Sequence, residues 1–293
     1  MTGPLLSSAL ALGHLAEFDV TAFQKYLFSD VFVAPFFLVI GITLVAQTAG
    51  IILGFPLAVG RISKNPLIHL PVDLYLYIFR GTPLLLQIAF IFDGLAALFT
   101  DPTTHSYPTI LVPVATNALV AGTLALTLNE AAYMTEIIRS GLEAIDPGQY
   151  DAARALGMTP WQVTRKIVIP QTLRIALPPT VNEYINMSKN TSLLGTFSVF
   201  ELYATAQHIY LTTYKTFEAL TVAAFWYLLI TSLLTVIQRQ VERRFGERQE
   251  VSLRPALGRR LLYAVGFDQK GRGGPGGTGA GPHEGPPTDV GGH

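Results

Sequence analysis

Five side chains set in otherwise apolar stretches could do chemistry: Arg80, Glu130, Asn182, Glu183 and Asn186. Ionisable and amide groups are expensive in hydrocarbon, so such residues face a protein interior or an aqueous path and are default candidates for binding. The Arg80 guanidinium could hold a substrate carboxylate through two parallel hydrogen bonds. Its plainer role would be to snorkel to the interface and pair with Asp73 on nearly the same helix face. Glu183 could receive an α-ammonium group while the Asn182 amide fixes orientation and Asn186, about one turn on, extends the face. As structure alone, Glu183 would pair with Arg80 or Arg174. Glu130 is either a further binding group for a cationic or amide substrate or a partner of Lys189. Glu136 and Arg139, three apart, read as a local helix pair.

This is binding chemistry, not covalent chemistry. The chain has no cysteine, which removes disulfides, thiolate catalysis and cysteine metal sites together. Its six histidines show no metal spacing. No G-x-S-x-G, H-E-x-x-H or G-x-x-x-x-G-K-[ST] stretch occurs, so no catalytic residue, metal or cofactor is assigned to this chain, and nucleotide hydrolysis would fall to a partner. A formal net charge of zero and the lack of aromatics interleaved in a basic patch argue against nucleic acid.

The elements that must position these residues are membrane helices. Of 293 residues, 50% are hydrophobic and 14% charged. That composition predicts an all-α polytopic membrane protein with about five transmembrane helices. Uncharged stretches run over 31–60, where Gly41, Gly50 and Gly54 would allow close helix contact, and over 81–92, within a span expected to start near Pro71 and end close to Asp93. A third span begins at Thr109 and continues through Glu130 and Glu136 to Arg139. The fourth, from Leu177 to about Glu201, is the least hydrophobic and should line an aqueous or protein-packed interior. The fifth covers Ala219 to Gln238.

Basic residues collect on one side, at Arg61, Lys64, Arg139, Arg154, Arg165, Lys166, Arg174, Arg239, Arg243 and Arg244. By the positive-inside bias that side is cytoplasmic, which puts the N-terminus outside and the C-terminus inside a multi-pass plasma or inner membrane protein. Three regions follow: an extracytoplasmic segment, 1–30, with an interfacial helix; a membrane-spanning domain, 31–245; and a cytoplasmic Gly/Pro-rich tail, 246–293, too polar to order itself. The N-terminus lacks the charged start of a cleaved signal and is expected to be retained.

Between the third and fourth spans lies a polar insert, about 143–174, whose Asp151 to Pro170 stretch reads DAARALGMTPWQVTRKIVIP. Its grammar is helix, turn, helix. Asp146 and Pro147 start the first piece and Gly157 ends it; Thr159 and Pro160 start the second, which Pro170 is expected to stop. By this grammar alone the insert is a capped connecting loop.

Asp151-Ala-Ala, three residues, Gly157, nine residues, then Ile167-x-Ile169-Pro170 resembles the EAA loop of ABC importer permeases, with Asp for Glu and Ile for Leu. FRGTPLLLQ (79–87), AAYMTEIIRSGL (131–142) and LPPTVNEYINMSKNTSLL (177–194) resemble the polar amino-acid uptake permeases within that family, as does the approach over 40–63. The resemblance covers roughly 36–245. It implies a type I ABC importer permease fold, a second permease subunit as homo- or heterodimer partner, two cytoplasmic ABC ATPases holding ATP and magnesium, and an extracytoplasmic amino-acid-binding protein, with membrane lipid around the whole. It also implies that Asp151, Ala152, Ala153, Ala155, Leu156, Gly157, Met158, Thr159 and Pro160 form a coupling helix for the ATPase, and that Lys189, Thr191 and Ser192 match a K-x-T-S segment with a gating role, against which an ordinary polar helix kink competes. Glu130 departs from the small or polar residue expected at its family position.

The function implied is translocation of polar amino acids such as glutamine, glutamate or the basic amino acids. An ion-coupled secondary carrier, needing coupling-ion carboxylates and no ATPase, and a membrane-embedded hydrolase are the alternatives that the residues themselves leave open.

Overall fold

The computed structural model describes residues 18–100 and 108–245, and among these every regular element is a helix. The expected tail and most of the N-terminal segment lie outside the described residues.

Helix α1 is Val20–Leu27, capped by Asp19, whose carboxylate accepts from the Ala22 amide at 2.9 Å. Helix α2, Asp30–Arg61, is the first span as expected, with an acidic first turn and a basic last turn matching the helix dipole. Helix α3, Pro66–Gly81, starts on an Asn65 cap and ends sharply. Helix α4, Leu84–Ala89, then runs through a π-helical turn, Phe90–Gly94, into α5, Leu95–Phe99. The two halves, α3 and α4–α5, meet at 110°.

The one span expected here is broken in the middle, and its expected end near Asp93 is corrected, since the helix runs on to Phe99. Pro83 has no amide hydrogen and forces its predecessor away from helical geometry, so Thr82 sits extended at φ −114°, ψ 149°. Asp93 is exposed, so its charge costs little and the helix continues past it.

A short helix, α6 (Val112–Thr116), bends by 97° into α7, Ala118–Glu143. The bend is local chemistry: Asn117 is extended and its side chain accepts from the amides of Leu119 and Val120, restarting the helix. The expected single third span is therefore also broken. The insert supplies α8, Pro147–Ala155, and α9, Pro160–Val163. A π-helical turn, Thr164–Val168, leads directly into α10, Ile169–Asn190.

Pro170 does not stop the second piece. It lies in the first turn of α10, where a proline removes no essential hydrogen bond, so the fourth segment begins at Ile169 instead of Leu177. It ends at Asn190, tightening into a 3₁₀ stretch, Thr191–Phe197. Helix α11, Leu202–Thr213, was not expected; Glu201 caps it through the amides of Tyr203 and Ala204. Helix α12, Thr216–Phe245, contains the expected fifth span.

Two helices, α2 and α12, are long and apolar enough to cross a membrane alone, and each bent pair would add one crossing. The predicted count of about five includes α10, whose polar residues exclude it on composition. It packs instead against α7, α12 and α2, the protein-lined setting its polarity demands.

Helix α7 is the central post, touching α2, α3, α4 and α10. It meets α2 at two glycines. A Cβ on Gly50 would lie 2.7 Å from Glu130 Cγ, and one on Gly54 would lie 2.8 Å from Met134 Cβ, whereas Gly41 has nothing within 4 Å. Gly50→Ala and Gly54→Ala are therefore expected to destabilise by about 1–3 kcal/mol each through overpacking, with Gly41→Ala near neutral. Thermal unfolding of the detergent-solubilised protein distinguishes them, and equal effects at all three positions would contradict the packing. A second cluster, with Phe32, Val39, Leu202, Val222 and Trp226, joins α2, α11 and α12.

Helix α1 is clipped to the start of α12. Lys215 Nζ lies 2.5 Å from Asp19 Oδ2, the Asp19 amide donates to Glu218 at 2.8 Å, and Trp226 Nε1 donates to the Leu27 carbonyl at 2.9 Å. The Lys215 hydrogen bond, with help from the Ala22 amide, holds the Asp19 carboxyl below its ordinary range, and the same bond raises Lys215. A depressed carboxyl stabilises above its unfolded value, about 3.9, and loses that stabilisation as pH falls through the folded value. The raised lysine stabilises below about 10.4 and loses it as pH rises further. Amide exchange across Val20–Leu27 is thus expected to be slow near neutrality and to show extra opening, beyond intrinsic exchange, only below the Asp19 titration and above that of Lys215. A pH-independent opening constant would remove the clip.

Candidate functional site

The sequence-predicted binding residues fall into two groups on different faces of α7. The first lies where α2, α7 and α10 meet. Glu130 is 3% exposed, and its carboxylate accepts from Gln47 Nε2 of α2 at 2.7 Å. Glu183 of α10 lies within electrostatic reach of Glu130 and of Lys189. Thr48 and Tyr184 join α2 and α10 through their hydroxyls at 3.3 Å. Asn182 sits on the exposed edge of the same helix.

Among the described residues no ion pair joins Glu130 to Lys189, or Glu183 to Arg80 or Arg174. Two carboxylates at one junction, of which Glu130 has a neutral amide as its partner, suit a cationic group brought from outside. Gln47 escaped the sequence reading because an uncharged residue in an apolar run gives no signal without its partner.

Arg80 belongs to the second group. Its guanidinium lies 3.2 Å from Glu136 and 5.7 Å from the Tyr133 ring centroid. Glu136 also binds Arg61 and, at 2.9 Å, Arg139, so the expected Glu136/Arg139 pair is present within a larger hub. Asp73 pairs with Arg61 at 3.1 Å and not with Arg80. Arg61, Asp73, Tyr77, Arg80 and Tyr133 line a cavity of about 650 Å³. A half-exposed guanidinium beside an aromatic face in such a cavity can take a carboxylate.

The K-x-T-S residues stand at the change from α-helix to 3₁₀. Lys189 is exposed, Thr191 is fully buried with its hydroxyl donating to the Ser188 carbonyl, and Ser192 donates to the Lys189 carbonyl. Further along, the fully buried Glu201, which caps α11, accepts from the Tyr227 hydroxyl and so ties α11 to α12.

The insert's two starts and its elbow are built as its grammar predicts. Asp146 Oδ1 accepts from the Gly148 amide at 2.6 Å. Gly157 takes the left-handed conformation at φ 69°, its amide donates to the Arg154 carbonyl at 2.9 Å and that of Met158 to Ala153 at 3.1 Å, the two bonds of a Schellman end. Thr159 and Gln162 form a capping box. Ile145, Ala153, Val163 and Val168 make a small core of the insert's own, with Met158 against it. Ala153 and Met158 therefore support the elbow from inside.

Asp151, Ala152, Ala155, Gly157, Thr159 and Pro160 are exposed, and Leu156 and Trp161 leave 80% and 67% of their surface uncovered. Trp161 was absent from the sequence-derived set, although a tryptophan just inside a capped polar turn was its signal. Two large apolar side chains thus stand uncovered beside the elbow.

This helical bundle has the type I ABC importer permease fold. The same fold occurs in a solved amino acid ABC transporter, with a TM-score of 0.66, 32% identity and coverage of 77% of this chain and 98% of that one. It also occurs in inward-facing structures of the MetNI methionine ABC transporter, with a TM-score of 0.57, 18% identity and coverage of 71% and 92%. The chain belongs to the binding-protein-dependent transport system inner membrane component family, which it matches over residues 50–247.

Among its relatives are an arginine transport system permease protein of Corynebacterium glutamicum, 37% identical over 83% of this chain and 80% of the relative. A histidine/lysine/arginine/ornithine transport system permease protein of Salmonella typhimurium is 40% identical over 67% and 82%.

Proposed function

We propose that this permease subunit carries amino acids with cationic side chains inward, driven by ATP hydrolysed elsewhere. The observation that carries the reading is the rigid elbow with exposed Leu156 and Trp161, which has the form of a lever for a partner to grip. Two ABC ATPase subunits hold ATP and magnesium and close on the elbows of two permease subunits, while an extracytoplasmic binding protein delivers substrate. Closure rocks the helices so that the cavity faces alternate sides.

The charge bias supports an outside N-terminus and a cytoplasmic insert and tail, with α10 completing about five crossings. It also supports an extracytoplasmic 1–30, a permeating 31–245 and a cytoplasmic 246–293. Glu130 and Glu183 take the cationic groups of the substrate, with Asn182 and Asn186 beside them, and Arg80, on a different face of α7, takes a carboxylate at a separate point of the path. Lys189, Thr191 and Ser192 gate at the 3₁₀ transition. Relatives named for arginine and for histidine, lysine, arginine and ornithine support the substrate class.

The test is uptake of labelled arginine into proteoliposomes containing the permease, its ATPase and its binding protein. Uptake that requires ATP on the ATPase side is expected, and uptake driven by an ion gradient without ATP would overturn the proposal.

A further inference from the structure

The 110° break between α3 and α4 leaves the Phe79 carbonyl without its helical donor, because the residue four positions on is Pro83, which has no amide hydrogen. Two side-chain amides replace that donor. Gln87 Nε2 donates to the Phe79 carbonyl at 2.8 Å, and also to the Thr82 carbonyl at 3.1 Å and the Thr82 hydroxyl at 2.9 Å. Asn129 Nδ2, from the central α7, donates to the same Phe79 carbonyl at 3.0 Å and to Gln87 Oε1 at 2.9 Å. The Thr82 hydroxyl in turn donates to the Ile78 carbonyl at 2.8 Å.

Gln87 and Asn129 are 7% and 8% exposed, so each amide is committed to these bonds and not to water. Arg80 lines the charged cavity of about 650 Å³, and Phe79 and Gln87 themselves line an apolar one of about 360 Å³ with Ile78, Thr82, Leu86 and Phe90. Arg80 is the residue next to Phe79. Wherever the staple pins the Phe79 carbonyl to α7, it pins the Arg80 main chain too.

We propose that the paired amides of Gln87 and Asn129 are positioning residues that set Arg80 in its cavity by stapling the Pro83 break to α7. The idea rests on the reading of Arg80 as the group that takes the substrate carboxylate. A side chain held by its own backbone anchor loses alignment when that anchor is freed, and misalignment of a binding group shows in KM while turnover is spared. Gln87→Leu removes all four bonds of Gln87, and Asn129→Leu removes the two from α7.

The experiment measures labelled-arginine uptake by the complete transporter in proteoliposomes, for Gln87→Leu, Asn129→Leu, Arg80→Ala and each amide variant combined with Arg80→Ala. Each amide variant is expected to raise KM about tenfold with maximal uptake within about twofold of the parent. In the Arg80→Ala background neither is expected to raise KM further, because an effect exerted through Arg80 disappears with it. Losses that add to that of Arg80→Ala, unchanged KM, or variants missing from the membrane would make the amides ordinary supports of the fold and overturn the proposal. Absence of ATP-dependent arginine uptake in the parent protein would instead be a failure of the proposed function.

Discussion

Replacing Gly157 by Asp is expected to cut ATP-driven uptake by about tenfold or more, the loss typical of a disrupted hot spot, while leaving the protein in the membrane at near-normal abundance. The structure separates these two outcomes. Gly157 has φ 69°, and an added Cβ would meet nothing within 4 Å. A side chain there causes no clash inside the chain. Its cost to the fold is the left-handed backbone, about 1–2 kcal/mol for most residues, and Asp is among the residues that tolerate that region best.

The new carboxylate would instead stand in open space between Leu156 and Trp161, where a charge has to be desolvated for any groove to close over the elbow. Gly157→Ala supplies the backbone strain without the charge and is expected to keep most of the uptake. The measurement is uptake and ATP hydrolysis side by side in proteoliposomes: hydrolysis that persists while uptake falls is the expected uncoupling. If Gly157→Asp still drives uptake at the normal rate, the elbow is not the docking point.

Glu136→Ala is expected to produce the largest loss of stability, about 2–4 kcal/mol, close to the cost of breaking a buried charge pair. One carboxylate there serves Arg61, Arg80 and Arg139 from three helices, α2, α3 and α7, and its side chain is 17% exposed. Removing it leaves three guanidinium groups facing one another, with Asp73 on Arg61 and Glu143 on Arg139 as the remaining counter-charges.

Glu143→Ala is the control. That side chain is 54% exposed and pairs with Arg139 four residues back, so its removal should cost about 0–1 kcal/mol. Thermal unfolding in detergent is expected to show a drop of several degrees for Glu136→Ala and almost none for Glu143→Ala. Equal shifts would mean that the hub is a solvated surface cluster.

Local rules reached far in this chain because much of its structure is local. Up to its second start the insert was legible residue by residue: Asp146, Gly157 and Thr159 act on neighbours a few positions away, and such capping bonds need no tertiary partner. The uncharged runs of α2 and α12 were legible for the same reason, since hydrophobic length is a property of a continuous segment.

Breaks were harder. Pro83 and Asn117 carried the signals, but an apolar stretch long enough to cross hides a proline or an asparagine inside it. A proline can also be harmless, as Pro170 is, and only the register of the helix around it decides which.

By itself, then, the sequence determined the all-helical membrane character of the chain, the rigid elbow and which polar residues sit in apolar surroundings. The tertiary structure decided how those residues are grouped. It placed Glu130 on Gln47 instead of Lys189, turned Arg80 towards Glu136 instead of Asp73, brought Trp161 out beside the elbow and set Gln87 and Asn129 against the orphaned carbonyl of Phe79. The physical reason is range. Caps and hydrophobic runs are satisfied within a few residues, whereas a buried charge or a freed carbonyl takes whichever partner packing brings within about 3 Å, and that partner lies on another helix.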